Sequence, residues 1–187
     1  MIIQPRVFSD LRGYFFETFN NRRWQEYGIA TAFVQDNESK SKRGVLRGLH
    51  FQLNHPQAKL VRVSVGCIYD VVVDVRPESR TFGKWIGIEL SEENKRQIFI
   101  PEGFAHGFLT QSSAAIVCYK VSEYYYPDDE RCIIWNDKDL GIIWPGVKEE
   151  AFGSEETNTT LFDGSPLIIS EKDSNGESWS SIIHSML

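Results

Sequence analysis

The stretch "KLVRVSVGCIYDVVVDVR" (Lys59–Arg76) decides the fold. β-branched residues crowd both of its halves, which suits a pleated, half-buried strand, and Gly66-Cys67 between them reads as the turn of a hairpin. Upstream, "VLRGLHFQ" (Val45–Gln52) has the same strand character. Downstream, "KWIGIEL", "RQIFI", "HGFLTQ", "AIVCYKV", "RCIIWND" and "GIIW" follow one another, separated by short turns rich in Gly, Pro, Asn, Asp and Ser. Short strands at such close spacing predict an all-β antiparallel sandwich or barrel. Helix is expected only in short pieces, at "NNRRWQEYG" near Asn20 and as a turn or two at "SEENKR" from Ser91. No repeat period is visible.

At 187 residues the chain fits a single domain with a substantial core. From about 146 to 166 it turns acidic and polar, "GVKEEAFGSEETNTTLFDGS", which predicts a long loop ahead of a C-terminal tail at about 174–187. With 20 basic and 26 acidic side chains the formal charge is −6, so neither nucleic acid nor an acidic membrane is an expected partner. A local group of Arg and Lys still suffices for a small anion. Cys67, Cys118 and Cys132 are odd in number and sit in apolar runs, as reduced core cysteines do. No leader-like start and no long apolar run appears, so a cytoplasmic location is expected. On that expectation the triplets "NES" at Asn37 and "NTT" at Asn158 are chance matches to a glycosylation signal.

Signatures of dinucleotide binding, phosphate loops, serine hydrolases and HExxH metalloproteases are all absent. Attention falls on two histidines in strands, His50 in "GLHFQ" and His106 in "IPEGFAHGF". A lone histidine on an apolar strand is most often a satisfied core residue. Here, however, Phe104, His106 and Phe108 share one strand face, Tyr119 shares a face with Val117 and Val121, and Gln35 shares one with Asn37. So many polar groups aimed inward favour a ligand cavity. Arg47 and His50 are three apart and would point to opposite faces of a regular strand. A bulge at Gly48 would turn both inward.

"PEGFAH" is similar to the second cupin motif and "GLHFQ" lies where cupins carry their first. Metal-binding cupins have H-x-H there, followed by a glutamate. This chain has Gln52 at the second histidine position and no such glutamate, and His55 lies in a turn-like segment, so no metal is expected.

The chain resembles dTDP-4-dehydrorhamnose 3,5-epimerases, which are cofactor-free cupins, over about four-fifths of its length. The resemblance runs through "RVFSDLRGYFFETFN", "FVQDNESKSKRGVLRGLHFQ", "QAKLVRVSVGCIYDVVVDVR", "TFGKWIGIELSEENKRQIFIPEGFAHGF", "YKVSEYYYPDDERCIIWNDKDLGIIWP" and "LIISEKD". It implies a small cupin-type jelly-roll barrel, no cofactor, a dTDP-linked 4-keto-6-deoxyhexose as substrate and a homodimer.

By this resemblance His50 is the base that removes a proton beside the C4 carbonyl, and Asp173 in "SEKD" is its carboxylate partner. Lys59 meets the enolate oxygen, and Tyr119 is the acid that returns a proton from the other side. His106 lines the sugar site. Arg12 and Arg47 meet the diphosphate, where guanidinium forks suit phosphate oxygens. Glu17, Gln35, Asn37, Tyr125, Glu130 and Lys172 supply polar contacts to base and sugar. The family's usual residues before "IIQPRVF" are lacking here. In the family that region helps to pair subunits, and a homodimer is still expected here. The acidic insertion is a second departure, and "SEKD" beyond it is expected to dock.

Overall fold

Strands that follow one another in the sequence mostly do not pair with one another. The computed structural model describes residues 1–148, 159–161 and 163–186. The chain begins with β1 (Ile2–Ile3), a small hairpin of β2 (Phe8–Asp10) and β3 (Gly13–Phe15), and helix α1 (Asn21–Glu26). Eight strands follow: β4 (Gln35–Lys42), β5 (Val45–Gln52), β6 (Lys59–Val65), β7 (Cys67–Asp74), β8 (Trp85–Ser91), β9 (Gln97–Ile100), β10 (Phe104–Thr110) and β11 (Ala114–Val121). Then come β12 (Glu130–Cys132), β13 (Ile168–Ile169) and two helices, α2 (Glu171–Ser174) and α3 (Trp179–Met186).

One sheet has the order β1-β9-β6-β11-β4, the other β12-β5-β10-β7-β8, with β13 added in parallel to β5. From β4 to β12 the chain changes sheet at every step except β7 to β8, which is the alternation of a jelly roll. The fold is thus the expected all-β cupin-type barrel with few short helices.

The hairpin expected at Gly66-Cys67 is not there. β6 pairs with β9 and β11, while β7 pairs with β8 and β10 in the opposite sheet. A tight hairpin needs a two-residue turn, and a lone glycine does not supply one. Gly66 instead turns a corner between sheets at φ +77°, and a Cβ there would lie 2.0 Å from the Ala114 carbonyl oxygen.

The core has three parts. Between the sheets lie Val61, Val63, Ile68, Val72, Leu90, Ile98, Phe108 and Val117. The outer face of the first sheet carries Leu60 under Trp24 of α1 and Ile29. Asn20 caps that helix by accepting from the Arg23 amide. The outer face of the second sheet carries Leu46, Leu49, Val71, Val73 and Leu109, covered by Ile133, Trp135, Ile142, Trp144, Trp179 and Ile182. β7 is therefore buried on both faces, which is why its sequence is a nearly unbroken apolar run.

This third part corrects two expectations. "GIIW" is not a strand, and "RCIIWND" is one only over its first residues, yet Ile142 and Trp144 are deeply buried. The C-terminal tail is a layer of the core: Trp179 and Ile182 of α3 pack into it, and the Trp179 amide donates to Asp137. Most of the acidic insertion, with Asn158, lies outside the described residues.

Candidate active site

Between the two sheets is a cavity of about 360 Å³. The second sheet contributes Arg47, His50, His106, Phe108 and Glu130, and the first contributes Gln35, Asn37, Ser39, Lys59 and Tyr119, with Gln57 and Tyr125 from connecting segments. His50 and Tyr119 thus project from opposite walls.

The conflict between Arg47 and His50 is resolved by the expected bulge. Arg47 pairs with Phe108 and His50 with His106, so three steps on β5 face two on β10. Gly48 makes this possible at φ +115°, where a Cβ would come within 2.5 Å of Gly107 Cα. Both side chains then turn into the cavity.

His50 Nε2 lies 2.6 Å from Asp173 Oδ1. The short helix α2 brings this carboxylate in, with Ser170 capping it by accepting from the Asp173 amide. Burial by itself would raise the Asp173 carboxyl, but hydrogen bonding to His50, Ser170 and the Gly48 amide holds it below the usual range. An ionised Asp173 only accepts, so Nε2 carries the imidazole hydrogen and Nδ1 is left as the acceptor. That Nδ1 lies 3.9 Å from Glu130 Oε1.

Lys59 is buried, and burial pulls its ammonium down to about 8 against the attraction of Glu130. Its Nζ donates to Gln57 Oε1 at 2.7 Å. Burial pushes the Tyr119 phenol up; Arg47 opposes the shift and Glu130 adds to it. Tyr119 is therefore a neutral donor at pH 7. His106 Nε2 meets Asp70 Oδ2 at 2.7 Å, and burial raises the Asp70 carboxyl against the pull of His106. Glu130 accepts from Tyr125 at 2.8 Å and from Lys172. Gln35 donates to Asn37 at 2.8 Å, and Arg47 Nε donates to Ser41 at 3.1 Å.

Two expected residues are elsewhere in this chain. Arg12 is exposed in the β2–β3 turn and paired with Asp10 at 2.5 Å. Glu17 pairs with Arg23 at 3.2 Å beside the N-terminal arm. In the hairpin that carries Arg12, Phe8, Leu11, Tyr14 and Phe15 are exposed. Conversely, Gln57, Ser39 and Asp70 were not singled out in the sequence, and Cys132 was read only as a reduced core cysteine. Strand alternation from Gln35 and Asn37 extends to Ser39, but Asp70 is masked by the apolar run around it.

His50 and His106 do not share one donor site, since each Nε2 meets a different carboxylate. Cys132 Sγ lies 3.9 Å from Asp173 Oδ1, and burial beside Asp173 pushes this thiol up to about 12.

A family model described as dTDP-4-dehydrorhamnose 3,5-epimerase matches residues 1–181. The Methanothermobacter thermautotrophicus protein of that name is 54% identical over 175 residues, 94% of this chain and 86% of that protein. The crystal structure of dTDP-6-deoxy-D-glucose-3,5-epimerase from Legionella pneumophila, in complex with dTDP-4-keto-L-rhamnose, is 43% identical with a TM-score of 0.86. It is covered to 90% by the whole of this chain. A 3'-monoepimerase from Streptomyces bikiniensis, in complex with dTDP-quinovose, is 31% identical with a TM-score of 0.83, over 100% of this chain and 87% of that one. With the jelly roll and a full-length match, the chain belongs to the dTDP-4-dehydrorhamnose 3,5-epimerase family.

Proposed function

We propose that this chain inverts C3 and C5 of dTDP-4-dehydro-6-deoxy-D-glucose, giving dTDP-4-dehydro-L-rhamnose. The observation that carries the reading is the projection of His50 and Tyr119 into one cavity from opposite sheets. Both carbons flank the C4 carbonyl, so loss of a proton from either leaves an enolate. His50 Nδ1 takes the proton, and Asp173 steadies the imidazolium that forms. The Lys59 ammonium faces the enolate oxygen. Tyr119 returns a proton to the opposite face of the carbon, and before the second carbon reacts the imidazolium gives up its proton and the phenolate is reprotonated. The net change is stereochemical, with no change in oxidation state.

Arg47 is placed for the diphosphate, and Gln35, Asn37, Tyr125, Glu130, Lys172 and His106 for sugar and base. Arg12 and Glu17 join them only if a hairpin from a second copy reaches the cavity, so the proposal includes a homodimer. Exposed Phe8, Leu11 and Phe15 suit such an exchange.

The test is turnover of the 4-keto-6-deoxyglucose nucleotide in D₂O. Deuterium at both C3 and C5 with the L-configured product supports the reading. Label at one carbon alone would make the chain a single-carbon epimerase or a 3,4-ketoisomerase, and the same fold does occur in a 3'-monoepimerase. No label with folded protein would overturn the assignment.

A further inference from the structure

Cys132 has no part in the chemistry above, yet it stands beside its central pair. On β12 it lies directly opposite His50 of β5 in register. His50, Asp173 and Cys132 each offer one donor atom, and the three atoms lie within 4.8 Å of one another. No other such group of three occurs among the described residues. An imidazole nitrogen, a thiolate and a carboxylate oxygen are the ligand types of zinc, with a fourth, open position. Metal–ligand bonds of about 2.0–2.3 Å separate tetrahedral ligands by roughly 3.3–3.8 Å. The Sγ–Oδ1 distance of 3.9 Å is already close to that. The 2.6 Å Nε2–Oδ1 contact must widen as an ion replaces the hydrogen between them, with the donor atoms starting within 4.8 Å of one another.

We propose that His50, Asp173 and Cys132 form an inhibitory zinc site. Binding needs the Nε2 lone pair, so the imidazole hydrogen moves to Nδ1, the nitrogen that otherwise accepts the substrate proton. The thiol proton leaves to solvent, because a bound divalent cation deprotonates its thiol ligand. One proton is released per ion, and the base is silenced at the nitrogen that matters. The inhibition rests on the reading of His50 as base; the metal site does not.

The experiment uses the full chain after EDTA treatment and dialysis, as wild type and as Cys132→Ser. Cobalt(II) is titrated in without substrate, and zinc is titrated into turnover assays. In the wild type, one equivalent of cobalt should give a thiolate-to-cobalt band in the near ultraviolet, absent from Cys132→Ser although Cys67 and Cys118 remain. Zinc should inhibit the wild type reversibly, while Cys132→Ser, equally active without metal, should need about tenfold more or higher. The proposal is overturned by a wild type without the band, by an equal band or equal inhibition in Cys132→Ser, or by activation with zinc. Should the metal-free wild type show no turnover at all, the function proposed above falls, and the cobalt spectra alone decide the site.

Discussion

Two histidine–carboxylate pairs face each other in register across β5 and β10, and their geometry is almost the same. His50 meets Asp173 at 2.6 Å and His106 meets Asp70 at 2.7 Å. Their surroundings differ. The His50 side chain is 29% exposed to the cavity, and its carboxylate, from the start of a short helix, is held ionised by several hydrogen bonds. The His106 side chain is 11% exposed, over an Asp70 that is wholly buried, whose carboxyl is pushed up and whose Oδ1 has no hydrogen-bond partner. An ionised carboxylate can stabilise an imidazolium; one driven toward neutrality serves to orient. The difference supports the proposed roles, the first pair as proton acceptor and the second as a wall of the sugar site.

The largest effect should come from His50→Ala, which is expected to lower turnover by about 10³-fold or more with the fold intact by circular dichroism. A folded variant near wild-type rate would end the assignment of the base. Asp173→Asn comes next, at roughly 10²- to 10³-fold in kcat, because an amide NH₂ facing Nε2 favours the wrong tautomer. Tyr119→Phe should lose about 10²-fold in inverted product. In D₂O this variant should still exchange the substrate proton with retained configuration, which mass spectrometry and NMR would show. If exchange stops as well, Tyr119 acts before the enolate and not after it.

The pH dependence tests Lys59. Its ammonium is charged below about 8 and neutral above, so Lys59 itself adds no slope to kcat/KM on the acid side of that value. Above it, kcat/KM should fall by about tenfold per pH unit. A fall that begins only near the ordinary lysine value of 10.5 would remove Lys59 from the reaction. The smallest change is expected for Asp70→Asn, within about tenfold and mainly in KM, since an amide replaces a carboxyl already driven toward neutrality. A loss in kcat matching that of Asp173→Asn would erase the contrast between the two pairs.

Much of the site was legible along the chain. Strand alternation placed Gln35 with Asn37 and Tyr119 on inward faces, and a glycine between Arg47 and His50 indicated the bulge. Lys172 and Asp173 came only through resemblance, because no local pattern tells that a four-residue helix near the C-terminus docks behind a strand more than a hundred residues earlier. Arg12 and Glu17 were placed at the site by the same resemblance, and this chain holds them apart from it.

The sequence by itself determined most of the strands and the all-β class, since β-branched runs and the residues that end them act over a few neighbours. Tertiary structure alone decided which sheet each strand enters. It turned the Gly66 corner away from a hairpin, folded the tail from "LIISEKD" onward into a core layer, and gave two similar histidines opposite electrostatic surroundings. Those outcomes depend on burial and on partners distant in the chain: Asp173 lies 123 residues from His50, and Asp70 lies 36 from His106. Desolvation and charge pairing are properties of the assembled barrel, and no window of sequence contains them.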